Sequence, residues 1–267
     1  MSKSISVAVI GAGVMGEALI AALISYGVKP ESITISEKRK DRADELINRY
    51  GIRVAEIGSN ISKAQAVLLV VKPQDMGSVL AEIKSFINPA TVVITFAAGK
   101  TIASISDALA TGNPVVRVMP NTPTLVGAGM AAISIGAGVS DEQREFVTGF
   151  LSATGKTVEV PEDLQDAVTA TSGSGPAYFF RFVEAMIAGA KSLGLSHEVA
   201  TKLTVQTMVG AAKLLDESGK SATTLRENVT SPNGTTAAAL ASFESDEIAK
   251  VVADAMKAAC DRSQELA

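Results

Sequence analysis

The feature that most constrains the fold is a glycine-rich loop between a predicted strand and a predicted helix. The apolar run at residues 5–10 leads into GAGVMG at residues 11–16, and EALIAALISYG then has the composition of a helix that ends at Gly27. A second predicted strand follows at residues 32–36. In this strand–loop–helix–strand context, the pattern G-x-G-x-x-G predicts a loop that binds a dinucleotide.

Each glycine of this loop has its own predicted function. Gly11 permits the tight turn, Gly13 lets the backbone approach a pyrophosphate, and Gly16 lets the helix pack on the strand. The start of the helix then presents unpaired N–H groups and the positive end of its dipole to the anion. The alternative is a glycine-rich turn without a ligand. The cofactor candidates in the loop are Gly11, Ala12, Gly13, Val14, Met15 and Gly16.

Strands and helices continue to alternate after this unit. Strands are predicted at residues 66–71, 91–96, 115–119 and 130–135, and helices at 75–87 and 102–109. This order predicts an α/β fold with a Rossmann-type, doubly wound parallel sheet. Ligands of such sheets bind at the carboxyl ends of the strands. The alternative for each of these loops is an ordinary connection that binds no ligand. The further cofactor candidates are Val71, Lys72, Pro73, Ala97, Ala98, Gly99 and Asn121.

The end of the second predicted strand bears on which nicotinamide cofactor binds. The sequence there is Ser36-Glu37-Lys38-Arg39. A carboxylate at this place accepts hydrogen bonds from the ribose hydroxyls of NAD, whereas Lys38 and Arg39 would bind the 2′-phosphate of NADP. We take Ser36, Lys38 and Arg39 as cofactor candidates. The residues alone leave NADH and NADPH both open.

The pattern changes after Pro161, where strand signals end. We therefore predict two domains, a dinucleotide-binding domain at residues 1–161 and an all-helical substrate and dimerisation domain at 162–267. Two of the predicted helices, 174–193 and 196–218, have broad apolar surfaces that suit burial between subunits. The predicted helices are 162–170, 174–193, 196–218, 221–228, 234–244 and 246–266.

Composition excludes several classes of function. One cysteine and one histidine give no internal disulfide, and no metal site is predicted. The net charge of −4, without a basic run, argues against nucleic acid as a partner. The uncharged stretch 118–140 contains prolines and glycines that disfavour a membrane helix, and no secretory leader is recognised. With 47% hydrophobic residues, the chain is expected to have a large subunit interface.

Six motifs in order resemble the pyrroline-5-carboxylate reductases: GAGVMG, VVKPQ, AAGKTI, RVMPNTP, SGSGPAY and LRENVTSPNGTTAAAL. The resemblance implies reduction of the ring imine L-1-pyrroline-5-carboxylate to L-proline, the final step of proline biosynthesis. It also implies NADPH as the usual cofactor and a cytoplasmic homo-oligomer. By motif, Asn228 would approach the cofactor. Asn233 stands where the family usually has Gly, and Asn tolerates a left-handed backbone better than most residues.

The stretch VTSPNGTT at residues 229–236 precedes a predicted alanine-rich helix. A helix cap needs one hydroxyl, but this stretch has four, so a carboxylate site is a better explanation than a simple cap. Thr236 is expected to position the substrate, and no single acid–base residue is predicted. A cyclic imine can take its proton from solvent, which leaves positioning as the main source of catalysis. The substrate candidates are Ser231, Asn233, Gly234, Thr235 and Thr236.

Two other functions share parts of this plan. A β-hydroxyacid dehydrogenase also joins a nucleotide domain to helices, but the Lys followed within four residues by Asn that such enzymes have in the helical domain is missing here. A non-enzymatic sensor of nicotinamide nucleotide would use the same glycine loop, because a fold does not fix a function. A sensor, however, has no need of a second anion pocket.

Overall fold

The computed structural model describes residues 5–266, and an eight-stranded sheet organises the first part of the chain. Its order is β3-β2-β1-β4-β5-β6-β7-β8. Strands β1 to β6 are parallel to one another, and the order reverses between β1 and β4. This confirms the predicted doubly wound, Rossmann-type sheet. The strands are β1 (Val7–Ile10), β2 (Ile33–Ser36), β3 (Arg53–Val54), β4 (Ala66–Leu69), β5 (Val92–Thr95), β6 (Val115–Met119), β7 (Gly129–Ile135) and β8 (Gly155–Glu159).

The last two strands depart from an all-parallel sheet. Strand β7 runs antiparallel to β6, and β8 is parallel to β7. The link between β6 and β7 spans residues 120–128 and contains only a short 3-10 segment, Thr122–Val126. A parallel crossover needs about a dozen residues or more, so this link can only reverse the chain.

Helices cover both faces of the sheet. On one face Leu19 and Phe150 pack against strand side chains such as Val9, and on the other Leu80 and Ile105 pack against Ile10. Burial on both faces explains why the strands read as continuous apolar runs. The helices of this part are α1 (Val14–Ser25), α2 (Lys40–Tyr50), α3 (Ile57–Ile61), α4 (Met76–Ile83), α5 (Ile102–Leu109), α6 (Asp141–Ser152) and α7 (Gln165–Val168).

Helix α6 and strand β8 lie in a region for which the sequence analysis predicts no element. The helix begins with a capping box, in which the Ser140 side chain accepts from the Gln143 N–H and the Gln143 side chain accepts from the Ser140 N–H. Ser followed three residues later by Gln is a sequence signal for such a start. The sequence therefore contains a local signal for the start of α6.

Contacts divide the chain into two compact units. The first unit consists of the chain up to Ser174 together with the C-terminal residues from Ala259 on. The second unit is Gly175–Ala258. The change in sequence pattern at Pro161 comes before this boundary, because residues 162–174 form a 3-10 turn, α7 and a π-helical segment, Thr169–Gly173. The remaining helices are α8 (Gly175–Ser192), α9 (His197–Glu217), α10 (Ala222–Asn228), α11 (Thr235–Ser245) and α12 (Ile248–Glu265).

The second unit exposes many large apolar side chains, as the sequence analysis expects of a subunit interface. Large apolar surface exposed to solvent usually marks an interaction site. Of the helices in residues 5–266, none combines the length and apolarity needed to cross a membrane. Exposed apolar residues of α8, α9 and α12 include Phe179, Phe180, Leu203, Val209 and Val251.

Candidate functional site

The three glycines of the first loop have different local environments. Gly11 has a φ of +88°, and a Cβ there would lie 2.7 Å from the Val70 carbonyl oxygen. A Cβ on Gly16 would lie 2.4 Å from the Gly11 carbonyl oxygen. A Cβ on Gly13 would meet no atom of residues 5–266 within 4 Å. The turn therefore requires Gly11, close packing requires Gly16, and Gly13 leaves open surface.

The open surface at Gly13 is the start of α1. Gly13 is the N-cap and has no side chain, so no side chain caps the first turn in the part of the chain that the structure describes. Val14 is exposed and Met15 is half-buried. Uncapped N–H groups and the positive end of the dipole bind anions at such a place. The loop therefore fits a pyrophosphate.

Two charged side chains hold the peptide groups of Ala12. The Ala12 N–H donates to Glu37 Oε2 at 3.0 Å, and Arg42 Nε donates to the Ala12 carbonyl oxygen, also at 3.0 Å. Arg42 donates further bonds to Glu17 and Glu45. Arg42 is not among the residues predicted from the sequence, because a charged residue in the first turn of an amphipathic helix normally faces solvent. The loop is thus fixed from both sides.

The charges in this cluster are maintained by their hydrogen bonds. Burial alone would raise the pKa of Glu17, but donors from Arg42, Tyr50 and Arg49 outweigh it and hold that pKa below its ordinary value. The bond to Glu17 in turn raises the pKa of Arg42. Both groups are therefore ionised at neutral pH, and Arg42 keeps its hold on Ala12.

At the end of β2, two residues are hydrogen-bonded within the protein and the next two have exposed side chains. Ser36 Oγ donates to the Ala55 carbonyl at 2.9 Å and accepts from Asn60 at 3.0 Å, so its hydroxyl is already used. Glu37 accepts from backbone N–H groups with both oxygens, the second being from Arg39. Lys38 and the Arg39 side chain are exposed. The structure therefore leaves Lys38 and Arg39 accessible to a ligand.

The loop after β4 lies beside the glycine loop, because β1 and β4 are neighbouring parallel strands. A Cβ on Gly11 would lie 3.1 Å from Cγ1 of Val71. Lys72 is exposed, and Pro73 begins a short 3-10 turn that leads into α4. This loop and the glycine loop together rim the crevice between β1 and β4, where ligands of doubly wound sheets bind.

The loop after β5 has an unpredicted neighbour. Ala97 is buried, Ala98 is half-buried, and Gly99 has a φ of +73°. A Cβ on Gly99 would lie 2.7 Å from the carbonyl carbon of Leu266. Gly99 is therefore required by its backbone angle and by the chain segment packed on it, in addition to any contact with cofactor. No sequence signal pairs two residues so far apart.

The side chain of Asn121, in the link after β6, has partners within the protein. Its Oδ1 accepts from the Met130 N–H at 2.9 Å, and its Nδ2 donates to the Ser172 carbonyl at 3.2 Å. The π-helical segment that contains Ser172 also packs closely, since a Cβ on Gly173 would lie 2.7 Å from Met119 Cε. Asn121 therefore holds the end of β6 in place.

The predicted substrate stretch lies in the second unit. Helix α11 begins at Thr235 with Gly234 as its N-cap, and among the described residues no side chain caps it. Thr230 donates its hydroxyl to the Arg226 carbonyl at 2.7 Å, which accounts for one of the four hydroxyls. The other three are not used as caps, although a simple N-cap would require one of them.

The other residues of this stretch shape the approach to α11. Asn233 has a φ of +60°, the left-handed conformation that the sequence analysis allows for Asn at this place. Ser231 and Thr235 are exposed, and Thr236 is half-buried. Asn228 is the exposed last residue of α10. The start of α11 thus combines uncapped N–H groups with accessible hydroxyls, an arrangement that can bind a carboxylate.

Two family models match the chain. The model described as pyrroline-5-carboxylate reductase dimerisation matches residues 162–266. The model described as NADP oxidoreductase, coenzyme F420-dependent, matches residues 6–99. Together they cover strands β1 to β5 and the helical part from residue 162 on.

Curated relatives match over nearly the whole chain. The pyrroline-5-carboxylate reductase of Corynebacterium melassecola is 42% identical, with 98% of each chain covered. That of Pseudomonas aeruginosa is 40% identical, over 98% of this chain and 96% of its own. Among solved structures, a pyrroline-5-carboxylate reductase from Coxiella burnetii has a TM-score of 0.92 at 33% identity, with 99% of both chains covered. Plasmodium falciparum pyrroline carboxylate reductase with NADP bound has a TM-score of 0.89 at 28% identity, covering 100% of this chain and 99% of its own.

Proposed function

The chain belongs to the pyrroline-5-carboxylate reductase family, and from this premise we propose that it reduces L-1-pyrroline-5-carboxylate to L-proline with NADPH, the final step of proline biosynthesis. The observation that carries the proposal is the start of α11, where the hydroxyl residues Ser231, Thr235 and Thr236 lie next to or within the first turn of a helix that no side chain caps in the described chain. A carboxylated ring is the kind of substrate such a site binds.

The glycine loop binds the cofactor through its backbone. N–H groups at the start of α1 bind the pyrophosphate over Gly13, and the absence of any described atom within 4 Å of a Cβ there supports this placement. The remaining cofactor residues of the first unit rim the same edge of the sheet. When bound, the reduced nicotinamide supplies the hydride. These residues are Gly11–Gly16, Lys38, Arg39, Val71–Pro73 and Ala97–Gly99, with Ser36 and Asn121 positioning the loops.

The substrate residues bind the carboxylate and orient the ring. Ser231, Thr235 and Thr236 donate from their hydroxyls, and the N–H groups after Gly234 donate from the backbone. Asn233 turns the chain into this geometry with its left-handed conformation. The imine nitrogen takes its proton from solvent, so the protein contributes positioning rather than a strong acid.

The function is tested by adding the imine to the protein and NADPH. We expect the absorbance of the reduced nicotinamide to fall and L-proline to accumulate, as identified by mass spectrometry. A β-hydroxyacid with NADP should give no reaction. Cofactor binding without any turnover of the imine would instead identify a nucleotide sensor, and would contradict the proposal.

We expect NADPH to be preferred over NADH because of Lys38 and Arg39. Both side chains are exposed at the end of β2, where a 2′-phosphate would lie. Replacing both with Ala should raise the KM for NADPH and leave the KM for NADH nearly unchanged. Steady-state kinetics with each cofactor make the comparison.

A matched control removes the same two charges elsewhere. Lys63 and Lys84 are also exposed, and neither lies at the end of β2. The Lys63→Ala/Lys84→Ala protein should keep the wild-type KM for both cofactors. If NADPH kinetics are equally unchanged in the Lys38→Ala/Arg39→Ala protein, Glu37 determines the site and NADH is the preferred cofactor.

We also expect a homodimer through the helical domain, which can assemble into a larger homo-oligomer. The exposed apolar side chains of α8 and α9 need a partner surface. Light scattering at micromolar concentration should give a mass of at least two chains, and a Leu203→Lys/Val209→Lys protein should lower it. A monomer mass for the wild type would contradict this assembly. We place the enzyme in the cytoplasm, where its single cysteine stays reduced.

A further inference from the structure

Arg117 is a buried charge for which the proposed reaction has no direct use. It lies within β6, opposite Thr95 of β5 and Ser134 of β7. Only 5% of its side chain is exposed. Its guanidinium lies 3.5 Å from Glu162 Oε1 and 3.6 Å from Asp166 Oδ1. A charge is costly to remove from water unless it is paired, so the position needs a reason.

The first carboxylate connects Arg117 to the loop after β5. Glu162 Oε1, which faces the guanidinium, also accepts from the Ile102 N–H at 2.6 Å. Ile102 is the first residue of α5, and the loop of Ala97–Lys100 ends just before it. Glu162 therefore holds the outgoing side of this loop, and Arg117 holds Glu162.

The second carboxylate leads to the same loop by another path. Asp166 Oδ1 accepts from Ser263 Oγ at 2.7 Å, and Ser263 is 3% exposed. One turn further, Leu266 packs against Gly99 in the middle of the loop. Arg117 is thus connected, through Asp166 and Ser263, to the residue that covers Gly99. Both connections lie within the first compact unit.

We propose that Arg117 is a positioning residue that fixes the Ala97–Lys100 loop for the nicotinamide half of the cofactor. The proposal rests on the proposed function, since it assumes that this loop meets NADPH. Strands β2 and β5 lie on opposite sides of the β1–β4 crevice. The adenosine half of the cofactor is held at the end of β2, so the loop after β5 lies on the nicotinamide side. A planar guanidinium is suited to this task because it can face two carboxylates in fixed directions.

The test compares two ligands on one variant. Arg117→Met should raise the Kd for NADPH by about fivefold or more, a usual strength for coupling between sites. The Kd for adenosine 2′,5′-bisphosphate, which represents the adenosine half alone, should stay at the wild-type value. NADPH fluorescence and titration calorimetry give the two constants. Equal losses for both ligands, or no loss for NADPH, would overturn the proposal.

Three further variants show whether a change in NADPH affinity is specific to Arg117 and its connections. Arg144→Met removes an arginine from an exposed ion pair with Glu159 and should change neither constant. Arg117→Lys keeps the charge and should weaken NADPH binding less than Met does. Ser263→Ala breaks one connection without leaving a buried charge unpaired, and it should still weaken NADPH binding selectively.

If Arg117→Met fails to fold, the NADPH affinity of the Ser263→Ala protein tests the proposal instead. Wild-type NADPH affinity in a folded Ser263→Ala protein would then overturn the proposal. Failure of the wild type itself to bind NADPH would refute the proposed cofactor and this inference together. Wild-type binding with unaffected variants would refute the inference alone, so the two failures are distinguishable.

Discussion

A Gly13→Asp variant is expected to fold like the wild type and to lose its binding of NADPH. Gly13 has φ −64° and ψ −161°, an extended conformation open to any residue, and an added Cβ would meet no atom of residues 5–266 within 4 Å. The carboxylate would cap the N–H groups at the start of α1 and would repel a pyrophosphate there. Such like-charge contacts cost several kcal/mol, so the Kd should rise by at least about 100-fold.

Two variants separate the contributions of charge and shape at this loop. Gly13→Asn has the same shape without the charge and should lose far less affinity. Gly16→Ala should behave differently, because its Cβ would lie 2.4 Å from the Gly11 carbonyl oxygen. Overpacking of that kind lowers the free energy of unfolding by roughly 1–3 kcal/mol. Thermal unfolding and NADPH titration measure both quantities, and a Gly13→Asp protein with wild-type affinity would show that the pyrophosphate lies elsewhere.

The glycine loop could be predicted because its requirements are local. The positive φ of Gly11 and the close approach of Gly16 to the Gly11 carbonyl oxygen both belong to one strand–helix unit, and the sequence pattern encodes that path directly. The hydrogen bonds of Glu37 and Arg42 to the backbone of Ala12 depend on how β2 and α2 pack beside the loop. Nothing in the chain marks either side chain as facing inward. Sequence patterns therefore predict the binding loop but miss the residues that fix it.

The sheet shows the same limit at larger scale. Its parallel core could be predicted, because strands buried on both faces leave continuous apolar runs. The antiparallel direction of β7 follows from the short length of the link 120–128. Link length can be read from the sequence, but the hydrophobic pattern of a strand does not depend on it. Contacts such as that of Gly99 with Leu266 join distant parts of the chain and have no local signature. The ion pairs of Arg117 with Glu162 and Asp166 join distant parts of the chain in the same way.

The second large effect is expected at the start of α11. Thr236→Val should lower kcat/KM for pyrroline-5-carboxylate by about tenfold or more and leave the Kd for NADPH unchanged. Thr236 lies in the first turn of α11, is half-buried, and its hydroxyl is not used as a cap in the described chain. Losing one hydrogen bond to a charged group costs roughly 1.5–3 kcal/mol. Valine keeps the shape of the side chain, so the change removes the hydroxyl alone.

Matched variants show whether that hydroxyl binds the substrate. Thr236→Ser keeps the donor and should retain most of the wild-type kcat/KM. Thr223→Val makes the same chemical change at an exposed position in α10, outside the candidate site, and should leave kinetics unchanged. Because no side chain caps α11 in residues 5–266, loss of a cap cannot account for a defect in Thr236→Val. If that variant keeps the wild-type kcat/KM, Thr236 does not bind the carboxylate, and the hydroxyls of this stretch belong to an ordinary helix start.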